Sequence, residues 1–425
     1  MIGRATLSAG RVAGARGATA FRHRNYRIFF AGQTVSLVGT WMQQVAQAWL
    51  VLQLTGDPLW LGVVAAAQFI PVMILGLFAG VAADALPKRE TLVATQAVMM
   101  TLAIILTVLT VTGLVQVWMI LVLAILLGCA NAVDMPVRQS FAIELVGRED
   151  IGNAVALNSA MFNGSRIVGP ALAGLTIAAF GVAAAFALNA LSFLAVIVAL
   201  LMLDDATLRT RPRIARPGSA GEVVDNLVEG LRYVRRTPLV LLAVLVVGGV
   251  ATFGMNFSVV IPAFAADDLA SGPSGFGFLM AASGVGSLFA ALALAFRGKP
   301  RTSRIATGAI ILGLASVAMA AISTYLTALF LMVLIGYGGI SMAATANATI
   351  QLAVPDQLRG RVMSVYTTIF ASSAPIGGLM MGAIASGFGA DVAIGLGGIL
   401  SGLVGVAAAL WLRAQRATPP AAGAG

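Results

Sequence analysis

The chain has 425 residues, 59% of them hydrophobic and only 10% charged, and its mean hydropathy is +0.96. So much apolar surface excludes a water-soluble domain, because lipid is the only solvent able to cover it. The formal net charge of +10 has the size of a nucleic-acid footprint, yet the cations sit in the gaps between apolar runs. They therefore report orientation in a bilayer and contact with anionic lipid, and nucleic acid is not an expected partner.

Residues 1–20 are rich in Arg, Gly and Ala and lack an apolar core or a cleavage pattern, so they read as a flexible cytoplasmic tail and not as a signal peptide. Six runs follow at 27–54, 59–82, 91–113, 117–139, 153–180 and 183–203, and six more at 239–265, 275–296, 305–324, 328–350, 362–388 and 392–412. Each meets the roughly 20 apolar residues that a bilayer core requires. The expected fold class is an all-α membrane protein with twelve transmembrane helices in two six-helix bundles, 21–203 and 238–413. Between them, 204–237 is expected as a cytoplasmic linker, and 414–425 as a second cytoplasmic tail. Within the linker, Ser219 and Glu222 have capping-box spacing, and Val223, Leu227, Leu231 and Val234 recur at helical intervals. That pattern predicts a short amphipathic helix lying on the inner membrane surface. Every Lys and Arg except Arg166 falls in alternate gaps, while the intervening gaps hold Asp57, Asp267, Asp268 and Asp391 and no cation. Such alternation predicts a multi-pass protein of the plasma (inner) membrane with both termini cytoplasmic.

Several functions drop out at this level. There is no CxxC, no HExxH and no phosphate loop, since Gly298-Lys299 is followed by Pro300. Neither a cofactor, a metal nor an enzymatic activity is expected. Cys129 reads as a small packing residue, and His23, among Arg22, Arg24 and Arg27, as a headgroup contact. The two halves also resemble each other. At an offset of 208, Gly128 meets Gly336, Gly152 meets Gly360, Phe162 meets Phe370, Ser165 meets Ser373, Gly169 meets Gly377 and Gly174 meets Gly382. Two readings of these matches stay open, a duplicated bundle with its site between the halves and shared packing glycines without common ancestry.

Gly80 and Asp84 end the second run, and Lys88 and Arg89 follow in a tight loop. This resembles the signature loop of the major facilitator superfamily, which implies a latch at the inner gate, although Ala85 and Pro87 stand where the family has Arg and Gly. Gly164, Gly169, Pro170 and Gly174 on the fifth run resemble the antiporter motif of exporters in the same superfamily, with Ala173 in place of a Gly. The stretches Asn131 to Gln139, Glu144 to Val146, Asn153 to Ser159, Glu229 to Tyr233 and Arg359 to Ser364 are similar to the enterobactin-exporter-like and macrolide-efflux-like branch. The resemblance runs from Phe21 to Trp411 and implies a secondary transporter that exports a small organic molecule of siderophore or amphipathic drug class. It also implies alternating access, proton coupling and a monomer in contact with membrane lipid. An importer of a small metabolite and a non-transporting binding or regulatory protein on the same fold are the competing readings.

Polar side chains narrow the site. In the first run Gln33, Ser36, Thr40, Gln43, Gln44 and Gln47 share one face of a helix, which must meet either neighbouring helices or a water-filled cavity. Arg166 is the one cation deep in a run, with Asn163 and Ser159 on its face. It is expected to face the cavity and attract anionic or electron-rich cargo, or else to bond to backbone carbonyls. Further cavity candidates are Asn131, Asn158, Asn256, Asn347 and Tyr366. No carboxylate lies deep in any run, so a titrating coupling group is expected at Asp84 or at Asp134, which can pair with Arg138 four residues on, or else the coupling step lies in cargo binding at Arg166.

Overall fold

The computed structural model describes residues 19–83, 86–204, 208, 220–296, 301–321 and 324–417. Two of the sequence expectations, Asp84 and the capping residue Ser219, lie outside the described residues, as do most of both tails. Every regular element among those described is helical. In chain order they are α1 (Arg24–Thr55), α2 (Pro58–Ala83), α3 (Lys88–Val111), and a helical stretch Val117–Phe180 that divides into α4 (117–146) and α5 (148–180). Then come α6 (Val182–Leu201), α7 (Ala220–Arg236), α8 (Pro238–Gly254), α9 (Phe257–Ala263), α10 (Gly272–Phe296), α11 (Ser303–Ala320), α12 (Tyr325–Ala353), α13 (Asp356–Phe388) and α14 (Ala390–Ala417).

In hydrocarbon a backbone must satisfy its own N–H and C=O groups, and a helix does so within one segment. Ten of these helical stretches are long and apolar enough to cross a membrane, and the protein is a multi-pass membrane protein. The two long helices that fall short are α1 and α5, each interrupted by polar side chains, the glutamine stripe in one and Asn158, Asn163 and Arg166 in the other. Helix α4 runs on to residue 146, beyond the apolar run that ends at 139, and buries Phe141, Ala142, Leu145 and Val146 along one face. Gly147, at φ 75° and ψ 178°, is the single residue between α4 and α5. A side chain is strained in that left-handed region, so glycine sets the turn.

The run expected to be continuous at 239–265 is broken between α8 and α9 at Met255 and Asn256, and a π turn follows at Phe264–Asp268. Two causes coincide there. The Asn256 side chain donates to the Thr252 carbonyl at 2.7 Å, a local bond that competes with the helical ladder, and Pro262 cannot donate at all.

The described cations, Arg166 apart, gather at one end of the molecule, and the other end holds only carboxylates. Lys88, Arg89, Arg138, Arg236, Arg359 and Arg413 lie on the same ends of the alternating helices, the basic end, whereas Asp57, Asp267, Asp268 and Asp391 lie at the other. The linker helix α7 packs on α13 and α8 at the basic end. A Cβ on Gly230 would stand 2.5 Å from the Arg361 carbonyl oxygen, Glu229 pairs with Arg361, and the Tyr233 hydroxyl reaches the Ala353 carbonyl at 3.4 Å. Two of the stretches that carried the family resemblance, Glu229 to Tyr233 and Arg359 to Ser364, thus meet each other.

The glycines matched at an offset of 208 make matching contacts. Gly169 of α5 lies against Val38 and Trp41 of α1, and Gly377 of α13 lies against Thr252 and Asn256 around the end of α8. Gly174 of α5 faces Pro273 and Ser274 of α10, and Gly382 of α13 faces Pro58 and Leu59 of α2. Gly128 of α4 meets the Gln68 carbonyl of α2, and Gly336 of α12 meets the Ser283 carbonyl of α10. Each contact recurs with its helix numbers advanced by one repeat.

Candidate functional site

The first six helices enclose a cavity of about 380 Å³. Helix α1 supplies Gln33, Ser36, Thr40, Gln43, Gln44 and Gln47 to its wall, α4 supplies Asn131, Met135, Arg138 and Gln139, and α5 supplies Asn158 and Phe162. The face that the sequence marked on α1 divides between the two uses left open for it. Gln43 accepts a hydrogen bond from Asn189 of α6 and is buried. The side chains of Gln33, Gln44 and Gln47 have no hydrogen-bond partner among the described residues and border the cavity instead. An unpaired buried amide is costly in lipid, so these groups call for water or a ligand. A smaller void of about 40 Å³ shares Gln44, Gln47 and Gln68 with the first and reaches Ser258 of α9. The polar path therefore continues from the basic end toward the other.

Four lining groups were absent from the sequence expectations: Gln68 of α2, Gln96 of α3, Asn189 of α6 and Gln139 of α4. The first three are lone amides in apolar runs. That isolation was the available signal, since a solitary amide in a membrane helix needs a partner or a cavity.

Asp134 and Arg138 form the charged part of the wall. The Asp134 side chain is 0% exposed and accepts from the Thr95 hydroxyl at 2.8 Å, from Gln96 Nε2 at 2.8 Å and from Arg138. Arg138 keeps 25% of its side chain exposed and borders the cavity. Nearer the basic end, Lys88 pairs with Glu144. Arg89 donates through Nε to the Leu200 carbonyl and through a terminal nitrogen to the Leu201 carbonyl, both at 2.9 Å, which caps α6 with a cation. Gly80 lies within α2, and Asp84, expected to complete this latch, lies outside the described residues.

At the cation-free end the cavity is shut by backbone contact between early and late helices. A Cβ on Gly62 of α2 would stand 2.3 Å from the Gly378 carbonyl oxygen of α13, and one on Gly277 of α10 would stand 2.4 Å from the Pro170 carbonyl oxygen of α5. Trp49 of α1 stacks on Phe276 of α10 with centroids 6.3 Å apart. Gly169, Pro170 and Gly174 thus occupy packing seams of α5 against α1 and α10, and Gly164 has nothing within 4 Å. Toward the basic end Gly152 and Gly360 are equally open.

The remaining candidates lie apart from the large cavity. Arg166 places its guanidinium 6.0 Å from the Trp41 ring centroid, on α5 one turn beyond Phe162, and Asn163 donates to the Ser159 carbonyl at 2.8 Å. Asn256 borders a void of about 20 Å³ among late helices. Tyr366 donates to the Ala343 carbonyl at 3.3 Å, and Asn347 accepts from Gln351 at 2.6 Å. Sequence could not separate these from the lining amides, because one polar residue on an apolar helix carries no mark of which neighbour it faces.

A family model described as transmembrane secretion effector matches residues 15–419. The multidrug efflux pump Tap of Mycolicibacterium fortuitum is 30% identical over 394 residues, which cover 89% of this chain and 94% of that protein. The staphyloferrin A transporter of Staphylococcus aureus is 25% identical over 272 residues, 63% of this chain and 66% of that protein. Among solved structures, a POT family transporter in complex with a thioalcohol conjugated peptide superposes with a TM-score of 0.72 at 12% identity, covering 92% of this chain and 96% of that one. The chain belongs to the transmembrane secretion effector family of the major facilitator superfamily.

Proposed function

We propose that the protein exports small organic molecules by alternating access between two six-helix bundles, 21–203 and 238–413, joined by the cytoplasmic linker 204–237. The observation that carries this reading is the amide-lined cavity of about 380 Å³, sealed at the cation-free end by glycine contacts of α2 with α13 and of α5 with α10. A cavity of that size accommodates a drug-sized ligand, and a seam of backbone contacts can part and re-form as rigid bundles rock. With cytoplasmic cations the basic end lies inside, so the conformation described is open to the cytoplasm. The repeated glycine contacts support the two-bundle reading. Efflux-pump and siderophore-transporter relatives favour outward movement of a drug-like or siderophore-like cargo across the plasma membrane, driven by protons and carried out by a monomer. Asp134, withdrawn from solvent beside the cavity, is the coupling carboxylate in this scheme.

Everted membrane vesicles test it. Under a proton gradient, vesicles carrying the protein should accumulate at least one of ethidium, a macrolide and staphyloferrin A above empty controls, and collapse of the gradient should abolish the difference. Accumulation of none of them, or accumulation indifferent to the gradient, would overturn the export or the coupling part respectively.

A further inference from the structure

We infer that Arg138 is an anion-recognition site for the cargo, so that the cavity takes organic molecules bearing a carboxylate and rejects organic cations. The inference rests on the transport reading only in naming the ligand as cargo; the binding chemistry stands on its own.

Three observations lead to it. First, Arg138 is the only charged side chain among the described residues lining the large cavity, the rest being amides, hydroxyls, thioethers and apolar groups. Second, its partner Asp134 is turned away. That carboxylate is 0% exposed and is occupied by Thr95 and Gln96 of α3 as well as by Arg138. Only one terminal nitrogen of Arg138 is given to it, and a guanidinium has five N–H donors in a planar fork, so donors remain for a second acceptor. Third, the level is right. Arg138 lies eight residues before the end of α4, Gln33 nine after the start of α1 and Asn158 ten after the start of α5. At the α-helical rise all three stand roughly 12–15 Å in from the basic ends. Gln139 borders the same cavity. A carboxylate can therefore take a charge-assisted hydrogen bond from the guanidinium while amides bind the neutral part.

The other acidic groups nearby do not reverse the sign. Glu144 is paired with Lys88, and Asp150 with His23. Arg166, one turn beyond the lining residue Phe162 and set against the Trp41 ring, adds a second positive charge behind that wall. A cation entering would meet amides and the Arg138 guanidinium, with no free carboxylate among the described lining residues, at a depth where water screens poorly.

Purified full-length protein in detergent provides the test, using three probes on one skeleton: 1-naphthylacetate, 1-naphthylacetamide and 1-naphthylmethylammonium. Affinity is read from quenching of tryptophan fluorescence, with thermal stabilisation as a check. The carboxylate should bind at least about tenfold more tightly than the amide, the ratio expected of one charge-assisted hydrogen bond, and the ammonium should bind least. Arg138→Gln should bring carboxylate and amide to equal affinity, and Arg138→Lys should restore part of the preference. Because Arg138→Gln leaves Asp134 buried without its cation, the pair Asp134→Asn with Arg138→Gln serves where the single variant does not fold, with the same equal affinities expected. A carboxylate that fails to bind, or that binds no better than the amide or the ammonium, would sink the proposal, as would a preference that survives removal of Arg138. Flux separates this proposal from the transport reading. Carboxylate binding without movement in vesicles would leave Arg138 as an anion site and remove transport, whereas flux of a neutral drug with no anion preference would do the reverse.

Discussion

Helices α4 and α5 and their counterparts α12 and α13 share glycines and differ in the charges they carry deep within the helices. The contacts of Gly128, Gly169 and Gly174 recur at Gly336, Gly377 and Gly382 with the helix partners advanced by one repeat. At the same offset, Asp134, Arg138, Asn163 and Arg166 stand opposite Met342, Ala346, Ala371 and Ala374, and Met342 and Ala346 are fully buried. Packing is common to both copies because close backbone approach tolerates no Cβ. The charges deep within the helices, Asp134, Arg138 and Arg166, belong to one copy, where a cavity lies beside Asp134 and Arg138.

The largest effect should come from the shared part. A Cβ at Gly169 would stand 2.5 Å from the Trp41 Cβ, and one at Gly377 2.1 Å from the Thr252 carbonyl oxygen. Gly169→Leu and Gly377→Leu should each cost about 3 kcal/mol or more through overpacking, seen as loss of monodisperse protein on size exclusion. Tolerance of either one alone would break the equivalence of the copies.

The unshared part should respond differently. Replacing only Asp134 with Met removes the buried carboxylate and leaves Arg138 at the cavity wall without its counter-charge, and stability should fall by about 3 kcal/mol. Adding Arg138→Ala, which completes the identity found in the second copy, should return the melting temperature to the parent value or above it, while transport stays lost. Thermal melting and vesicle flux on the two variants check this; a double variant less stable than Asp134→Met would mean that the pair holds the fold together.

Within α1 the two roles of neighbouring amides can be separated. Gln43→Leu removes the acceptor of Asn189 and should cost about 1–3 kcal/mol of stability. Gln44→Leu should leave stability within roughly 0.5 kcal/mol and alter cargo affinity. Melting temperatures and binding titrations that interchange these effects would reverse the assignment of the stripe.

The smallest effect concerns the segment preceding α1. Asp150 is held below the ordinary carboxylate pKa first by a hydrogen bond from the Thr19 side chain and then by His23, whose ring lies 2.9 Å away. A depressed pKa contributes stability that is present above the unfolded value, near 3.9, and is lost as pH falls through the folded value. Asp150→Asn should therefore melt slightly below the parent at neutral pH, and the two curves should converge only in the acid range below about 4. A gap that persists unchanged into that range would remove the carboxylate from the tie.

Much of this was readable from residue order alone. Alternating charge and run length give the helix positions, since the bilayer imposes both, and the α1 stripe was legible because six polar residues on one helical face have no place against lipid. The break at Met255 and Asn256 was hidden, because the residues around it are as apolar as an unbroken helix and the decisive bond runs from a side chain to the Thr252 carbonyl. Asn256, Asn347 and Tyr366 lie away from the large cavity, and each finds a partner within the late helices. Gln68, Gln96 and Asn189 reach the cavity only through the packing of their helices, which no single run encodes.

The one-residue joint at Gly147 has a mechanical meaning. Two torsions are all that α4 and α5 have between them, so neither can slide past the other. Were α5 to swing from α10 and uncover the sealed end, the pivot would be that glycine, and the lever arm on its far side is the segment bearing Arg138. A displacement begun at one face of the bilayer would thus be delivered to the mouth at the opposite face without an intervening loop to absorb it.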